Sequence, residues 1–535
     1  MARDDDKPWS KAIPDGPWDY VVIGSGMGGM TTAALLAKLG KRVLVLEQHY
    51  VPGGFTHMFK RPGFEWDVGV HAVGEVTEHS LTGRLLTALT DGALEWASLG
   101  PVYDEFHFPD GFHIDFPDTP AQFRDNLIDA FPDEREAIDE YIHLARSVSK
   151  SMKSYYLSRL APQRVGQLTE LVFARDAKKW LTMRTLDAVR ELTDDPKLAA
   201  IFTAQWGYYG STPSRSSFAM QALVVKHFFH GGYYPVGGAS RIARTLLQTV
   251  ADAGGWTAIR ADVDEILVDD DHAVGVRLQG GQEIRAGRVV SAAGVASTVR
   301  RLLPEPHRHD PWAAQVEALP PAPAHVCLYL GFEGDIRAAG AGAANQWFYE
   351  TWDMEADAWA VSLDDEELPD APVLYCSFPS LKDPEHDPGP KQRHTGEVVT
   401  FVPYDVFVPW RDGRWKKRGD EYEAFKGRMK DRLLKQLFAH RPELEPLLVF
   451  AELSTPVSTE HFVRPVRGSI YGLEPTPTRF ENPWLRPRAP VKDLFFSGSE
   501  VATVGVIGAM MGGVLSAVSA EPVDALRFIR PLMSR

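Results

Sequence analysis

At 535 residues and a net charge of −15, the chain is too long for one core and too acidic for a general nucleic-acid binder, whose surface is normally basic. Hydrophobic residues make up 44% and charged residues 24%, which excludes a disordered chain. Cys327 and Cys376 are the only cysteines; they exclude a disulfide framework and lack metal-ligand spacing, so no metal is expected and a reducing, cytoplasmic setting is.

The opening MARDDDKPWSKAIPDG is acidic and broken by proline, unlike a secretory signal, and no apolar run reaches the ~18 residues of a membrane span. Tyr20 to Ile23 then reads as a strand buried on both faces of a parallel sheet, ending at Gly24. Glycines follow at Gly24, Gly26 and Gly29. The first permits a tight strand-to-helix turn, the second lets a pyrophosphate approach bare backbone, and the third lets the helix lie close to the strand. Thr31 to Leu39 is helical, Gly40 stops it, and Arg42 to Leu46 supplies a second strand. Glu47 ends that strand 23 residues after Gly24, where a carboxylate accepts both hydroxyls of an adenosine ribose and repels a 2′-phosphate. Together these features predict a dinucleotide-binding βαβ unit, which continues into Pro52-Gly53-Gly54.

Phe64 to His71 alternates like a strand or loop entering a cofactor cleft and breaks at Gly74. From Ala121 to about Leu198 the pattern is mostly helical. Within it, Lys150 to Arg184 carries eight basic residues against two acids, interleaved with aromatics and leucines. Such a stretch reads either as a face for an anionic membrane or as a solvated helix, with Pro162 interrupting it. Ile201 to Tyr234 contains nine aromatics, suited to a core or to a tunnel wall. A helix follows Gly237-Gly238 and ends near Gly254-Gly255. A strand from Ile259 to Val268, a turn at Asp269 to Asp271 and hairpin-like strands through Val290 come next.

A second excursion opens at Pro304, with strands at Val326 to Leu330 and Val373 to Phe378, a solvated basic loop at Arg411 to Arg418, and an amphipathic helix from Glu423 to Ala439. Leu494 to Phe496 is a closing buried strand, followed by Gly498, Glu500 and a glycine-rich apolar helix starting near Gly508. The fold class is thus α/β, with a discontinuous Rossmann-like domain (18–95, 233–310 and 491–535) and an inserted α+β substrate domain. The latter comprises a mainly helical, membrane-facing part (96–232) and a sheet (311–490).

VLEQHYVPGG with DVGVHAVG, STPSRSSFAMQALVVKHFFHGGYYPVGGAS, SAAG at Ser291 to Gly294, FPSLKDP, RGSIYG and FSGSEVATVGVIGAMMGG extend across nearly the whole chain. In these motifs it resembles the phytoene desaturase superfamily of flavoproteins, and within it the retinol saturase and carotenoid isomerase branch. The resemblance implies FAD, favoured over NAD by the Pro52-Gly53-Gly54 extension. It places phosphate on Gly24, Gly26 and Gly29, ribose on Glu47 beside Gln48, and adenine against the Val263 backbone. The flavin ring would lie between Gly54, Phe55, Thr56 and His57 on one side and the closing helix at Gly508 and Ala509 on the other. That helix would aim its dipole at the flavin N1/O2 edge. Ala293 and Gly294 would pass close to the cofactor, with Gly498, while Glu500 would approach the ribityl or phosphate region. Phe55 and Thr56 stand where the vertebrate saturases resemble a cysteine-bearing, ER-directed version, so the polyene is not fixed as retinol.

The implied activity is hydride delivery to one carbon of a conjugated C=C and protonation of its neighbour, with His71 and Tyr471 as acid candidates and His57 behind them. The bland roles are a backbone hydrogen bond for His71 and an apolar contact with a polar tip for Tyr471. No second glycine-rich unit for NAD(P)H is visible, which implies either an external electron donor or a flavin that cycles with no net oxidation, as in cis-trans isomerisation. Saturation of a hydrophobic polyene or related lipid leads. Desaturation or cis-trans isomerisation by the same site, and a non-catalytic prenyl or lipid carrier of the same fold, are the alternatives.

Overall fold

The computed structural model describes residues 7–160 and 175–533. Five short strands, β1 (Tyr20–Ile23), β2 (Val43–Glu47), β3 (Trp256–Ile259), β4 (Arg288–Ser291) and β5 (Leu494–Phe496), form a sheet in the order β5-β4-β1-β2-β3. Every pairing in it is parallel. The β-branched and aromatic runs of β1, β2 and β5 are buried along their whole length, as strands covered on both faces must be. Segments from the start, middle and end of the chain therefore share one sheet.

Four helices frame the site: α1 (Met27–Lys38), α2 (Arg135–Leu160), α3 (Gly505–Ala520) and α4 (Pro522–Met533). The first, α1, starts at the βα turn, with Gly26 as its N-cap, four residues earlier than expected at Thr31. Likewise α3 starts at Gly505, so the glycine near its expected start, Gly508, lies within its first turn. Helices apolar on all sides belong inside, and both are almost entirely buried. They touch through bare backbone. A Cβ placed on Gly28 would collide with the Gly498 backbone, and one on Gly512 with the Gly498 carbonyl. Thr32 staples the junction: its Oγ1 lies 2.9 Å from Ser497 Oγ and donates to the Gly28 and Gly513 carbonyls.

The expected single strand from Ile259 to Val268 is two. Arg260 takes a left-handed conformation (φ 57°), its amide donates to the His49 carbonyl and the next one, Ala261, to that of Glu47. The chain then leaves the parallel sheet for a separate antiparallel one of Val263–Asp269, His272–Leu278 and Glu283–Arg285, turning at Asp270 and Asp271. The alternation from Phe64 forms a hairpin of Met58–Arg61 with Phe64–Asp67.

A seven-stranded sheet builds the other layer. Its order is Leu448–Ser454, Ala324–Glu333, Arg393–Val402, Val373–Ser377, Asn345–Tyr349, Val102–His107 and His113–Pro117. The 96–232 segment, read as mainly helical, thus also donates two strands to the sheet built chiefly from 311–490. The aromatic stretch serves both readings offered for it. Phe202, Trp206, Tyr209 and Phe218 are buried in the core, whereas Tyr208 and Phe228 also line the cavity. Part of the basic stretch, 161–174 with Pro162 and Arg164, lies outside the described residues.

Because Gly28 meets backbone and not a movable side chain, Gly28→Val should cost about 1–3 kcal/mol. A thermal melt should show a lowered midpoint and flavin lost with it, whereas Gly427→Ala, at a half-buried position inside a helix with open space around its Cβ, should keep the flavin and hold or slightly raise the midpoint.

Candidate active site

One cavity of about 1020 Å³ joins the two layers, large enough for a dinucleotide and part of a second ligand. Its walls include Gly24, Gly26, Glu47, Gln48, Gly54, Phe55, Thr56, His57 and Val263 from the first half of the chain. Ala293, Gly294, Gly498, Glu500, Gly508 and Ala509 approach from the other side. The structure thus brings nearly all of the expected cofactor residues to one cleft, with Gly29 just behind it.

At the phosphate end, Gly24 needs its positive φ of 91° for the turn. A Cβ added to Gly26 would meet nothing within 4 Å, so bare amide backbone faces open space at the N-terminus of α1. The cradle is closed above by Gly54, whose Cβ would sit 2.9 Å from the Gly26 Cα. A Cβ on Gly29 would strike the Gly24 carbonyl, so that residue works by close helix–strand packing. Glu47 Oε2 accepts from the Ser25 amide (2.9 Å) and hydroxyl (2.6 Å), and Oε1 accepts from the His49 amide (2.7 Å). Of roughly four lone-pair positions on a carboxylate, three are used, so Glu47 has room for one further hydroxyl donor where its spacing suggested two.

Farther along, Gln48 donates to the Phe462 carbonyl (2.5 Å), Thr56 Oγ1 donates to the Gly53 carbonyl, and His57 Nδ1 sits 2.6 Å from the Gly54 carbonyl. Burial lowers the His57 pKa to about 4, so the ring is neutral and shapes the turn. Glu500 lines the cleft, but its Oε2 is committed to the Val295 (2.6 Å) and Ala296 (3.1 Å) amides. It therefore pins the turn after β4 at Gly294, a role its spacing did not reveal.

Beyond the ring position the cavity becomes aromatic. Two transverse rows cross the seven-stranded sheet in register: Phe106, Trp347, Tyr375, Val399 and Cys327 in one, and Ser377, Glu397 and Tyr329 in the next, with Asn345 paired to Asp104 at the edge. Trp347, Tyr375, Val399 and Phe401 line the chamber with Tyr208, Ile470 and Tyr471. Tyr471 donates its hydroxyl to the Gly207 carbonyl (3.0 Å), and burial raises its pKa far above the phenolic value, so it is a wall with a tethered tip.

His71 lies on the same cavity, its Nδ1 3.0 Å from Glu397 Oε2. Sequence reasoning missed the group around it. Glu397 stands in a strand buried from His394 to Val402, an anomaly visible in the pattern RHTGEVVTFV. Lys382 donates to the His71 carbonyl (2.7 Å), Asn345 Oδ1 (2.5 Å) and Ser377 Oγ (2.7 Å). Asp67 accepts from the Tyr234 hydroxyl (2.5 Å) and the Ala239 amide (3.3 Å). Among the described residues, Glu105, His107 and His113 also bring three ligand-type atoms within 4.8 Å, but the Arg441 guanidinium at 3.2 Å from His107 Nε2 opposes a cation there.

Residues 27–520 match the model of the flavin containing amine oxidoreductase family. The chain is 33% identical over 520 residues to an all-trans-retinol 13,14-reductase of Danio rerio, covering 93% of this chain and 84% of that one. The chain belongs to this flavoprotein family, in its retinol saturase and carotenoid isomerase branch. A prolycopene isomerase of an Oncidium hybrid cultivar is 26% identical over 475 residues, 86% of this chain and 76% of its own. A putrescine oxidase structure, 16% identical, superposes with a TM-score of 0.62 over 95% of this chain and 100% of that chain, which shows the shared fold. FAD is the cofactor of this flavoprotein, an oxidoreductase, and the Gly26 cradle, the Glu47 acceptor and the N-terminus of α3 are the features that fit it.

Glu47→Gln should weaken FAD binding about tenfold, the effect of removing one hydrogen bond to a charged acceptor. Fluorescence of flavin released on dilution reads the dissociation constant.

Proposed function

We propose that this chain saturates a C=C bond of a hydrophobic polyene, a retinoid, carotenoid or related lipid, using electrons from an external donor. The observation that carries this reading is the aromatic and aliphatic chamber continuous with the flavin cleft. A polyene has almost no polar handle, so affinity must come from burial at roughly 25 cal/mol per Å², with selectivity set by shape. Trp347 and Tyr375, with rings 4.5 Å apart and edge-to-face, fix one wall. Tyr208 packs edge-on against both and is held by Asp104 Oδ1 (2.6 Å), so the wall is rigid. FAD, once reduced, supplies hydride. Gly54 to His57 and the first turn of α3, which line the cleft, would hold the ring, while the apolar lining would exclude water from the reacting bond.

The similarity to a prolycopene isomerase favours geometric isomerisation as the second reading, and the same chamber serves it. Incubated anaerobically with reduced protein, retinol or a lycopene-type polyene should yield a product heavier by two hydrogens. Unchanged mass with altered geometry would support isomerisation, and a loss of two hydrogens desaturation. Protein that binds no FAD would support the carrier.

The cavity mouth suggests how such a substrate arrives. Leu157 of α2 and Met533 of α4 line it while 64% and 62% exposed, with Leu526 beside them. Basic residues line the same cavity near these apolar side chains: Lys153 and Lys150 lie one and two turns before Leu157 on α2, with Arg146 a turn earlier, and Arg84 donates to the Leu532 carbonyl beside Met533, in a chain that is otherwise acidic. Among the described residues no helix is long and apolar enough to cross a membrane. Exposed apolar side chains beside basic ones suit peripheral seating on an anionic bilayer, from which a lipid can enter without crossing water. Sedimentation with anionic vesicles should be salt-sensitive and should fall in a Leu157→Glu, Lys150→Glu double variant. Equal binding by the variant, or none by either protein at low salt, would contradict this seating.

A further inference from the structure

The sheet row that carries Glu397 places an acid where the chamber needs a proton. Glu397 is 1% exposed, and neither carboxyl oxygen makes a well-formed hydrogen bond, the Asp67 amide being the backbone donor that approaches it. His71 Nδ1 stands 3.0 Å from Oε2 but off the hydrogen-bonding axis, a misalignment common in catalytic pairs before substrate binds. That nitrogen is fully buried, yet the imidazole keeps 14% of its surface open, and the residue lines the cavity. One side of the ring therefore faces Glu397 and the rest faces the chamber.

We propose that Glu397 and His71 form a buried proton-delivery pair: the Glu397 carboxyl passes its proton to His71 Nδ1 as the Nε2 proton goes to the polyene carbon adjoining the one that receives hydride. This rests on the saturation reading above. The polyene gains one hydrogen with both electrons as hydride and one as a proton, the double bond becomes a single bond, imidazole ends neutral in its other tautomer, and Glu397 ends as a carboxylate. The pair resets when a solvent proton reaches the bare Nε2 from the chamber side and the Nδ1 proton returns to the Glu397 carboxylate. His71 is the catalytic residue and Glu397 its proton source. Lys382 is a positioning residue, its three donors anchored on His71, Asn345 and Ser377 and its charge felt at the new carboxylate.

The protonation states agree with this assignment. Burial holds the Glu397 carboxyl far above the usual range, with Lys382 only partly offsetting it, and burial brings His71 down to about 3. Asp67 is raised to about 8 by burial and by Glu397, and Lys382 is lowered to about 7 by burial. Its three acceptors favour the ammonium form against that pull. Tyr329, Cys327, Tyr375 and Tyr234, which also face Glu397, are all pushed upward by burial, and His325 beside His71 is lowered to about 4. The pair is thus a neutral acid beside a neutral base at neutral pH.

Infrared spectroscopy of the holoprotein at neutral pH should show C=O stretches of protonated carboxyls, shifted in D₂O, one of which is missing in Glu397→Gln and kept in Asp67→Asn, since the Asp67 carboxyl beside it also holds a proton. Glu397→Gln, a near-isostere, should also slow single-turnover polyene reduction at least ~100-fold, the usual share of a general acid. Lys382→Met should keep the band yet slow turnover and move its alkaline pH limb. No band lost in Glu397→Gln, or turnover at the wild-type rate in that variant, overturns the proposal. A wild-type protein that shows the band but reduces no polyene counts against the saturation reading, and the delivery step falls with it.

Discussion

Everything in this molecule depends on two backbones being allowed to touch. Gly28 in α1 and Gly512 in α3 both press on the Gly498 backbone after β5, where a Cβ on either helix glycine would collide, and Thr32 with Ser497 ties them by side-chain hydrogen bonds. Segments from opposite ends of the chain are thereby brought into one sheet, the order β5-β4-β1-β2-β3 leaving only β4 between the last strand and the first. The dinucleotide cradle opens at that junction, so the phosphate-binding turn and the N-terminus of α3 share one cavity.

From that fixed point the chemistry runs along a gradient of polarity. The cleft begins with bare amides and the Glu47 carboxylate, passes the buried turn at His57, and ends in a chamber walled by Trp347, Tyr375, Val399 and Phe401. Two residues further along the same strands, on the same face, the apolar row gives way to Ser377 and Glu397. An apolar chamber with a concealed acid behind the histidine on its wall differs physically from a simple lipid-holding cavity, in which buried ionisable groups would only weaken the fold.

The βαβ unit and the closing strand were legible because each rests on local rules: an apolar run, glycines at set spacing, an acid at a strand end. His71 was singled out for its place after the nucleotide unit, and it does reach the chamber. What its position could not disclose was its partner, since Glu397 is far along the chain and is joined to it only by the stacking of the layers. Glu500 looked like a cofactor ligand because an acid follows the closing glycine, whereas its carboxylate meets the amides at Val295 and Ala296, a tertiary contact invisible to spacing. The break at Arg260 was hidden because both strands it separates carry strand-forming residues, Ile259 before it and Val263 with Ile266 to Val268 after it, and the pair reads as one run. Lys382 sat inside a quoted motif without a role, since a lysine reads as surface until three acceptors are seen around it.

One FAD gripped jointly by the first and last elements of the chain, with its ring opening onto the aromatic chamber, is the spatial arrangement on which the chemistry rests. A crystal structure of the holoprotein soaked with a polyene tests it most directly. The isoalloxazine should lie between the Gly54 to His57 segment and the first turn of α3, with the polyene along Trp347 and Tyr375 and one double bond within reach of His71. A flavin ring placed away from α3, or a polyene seated outside the chamber, would contradict it.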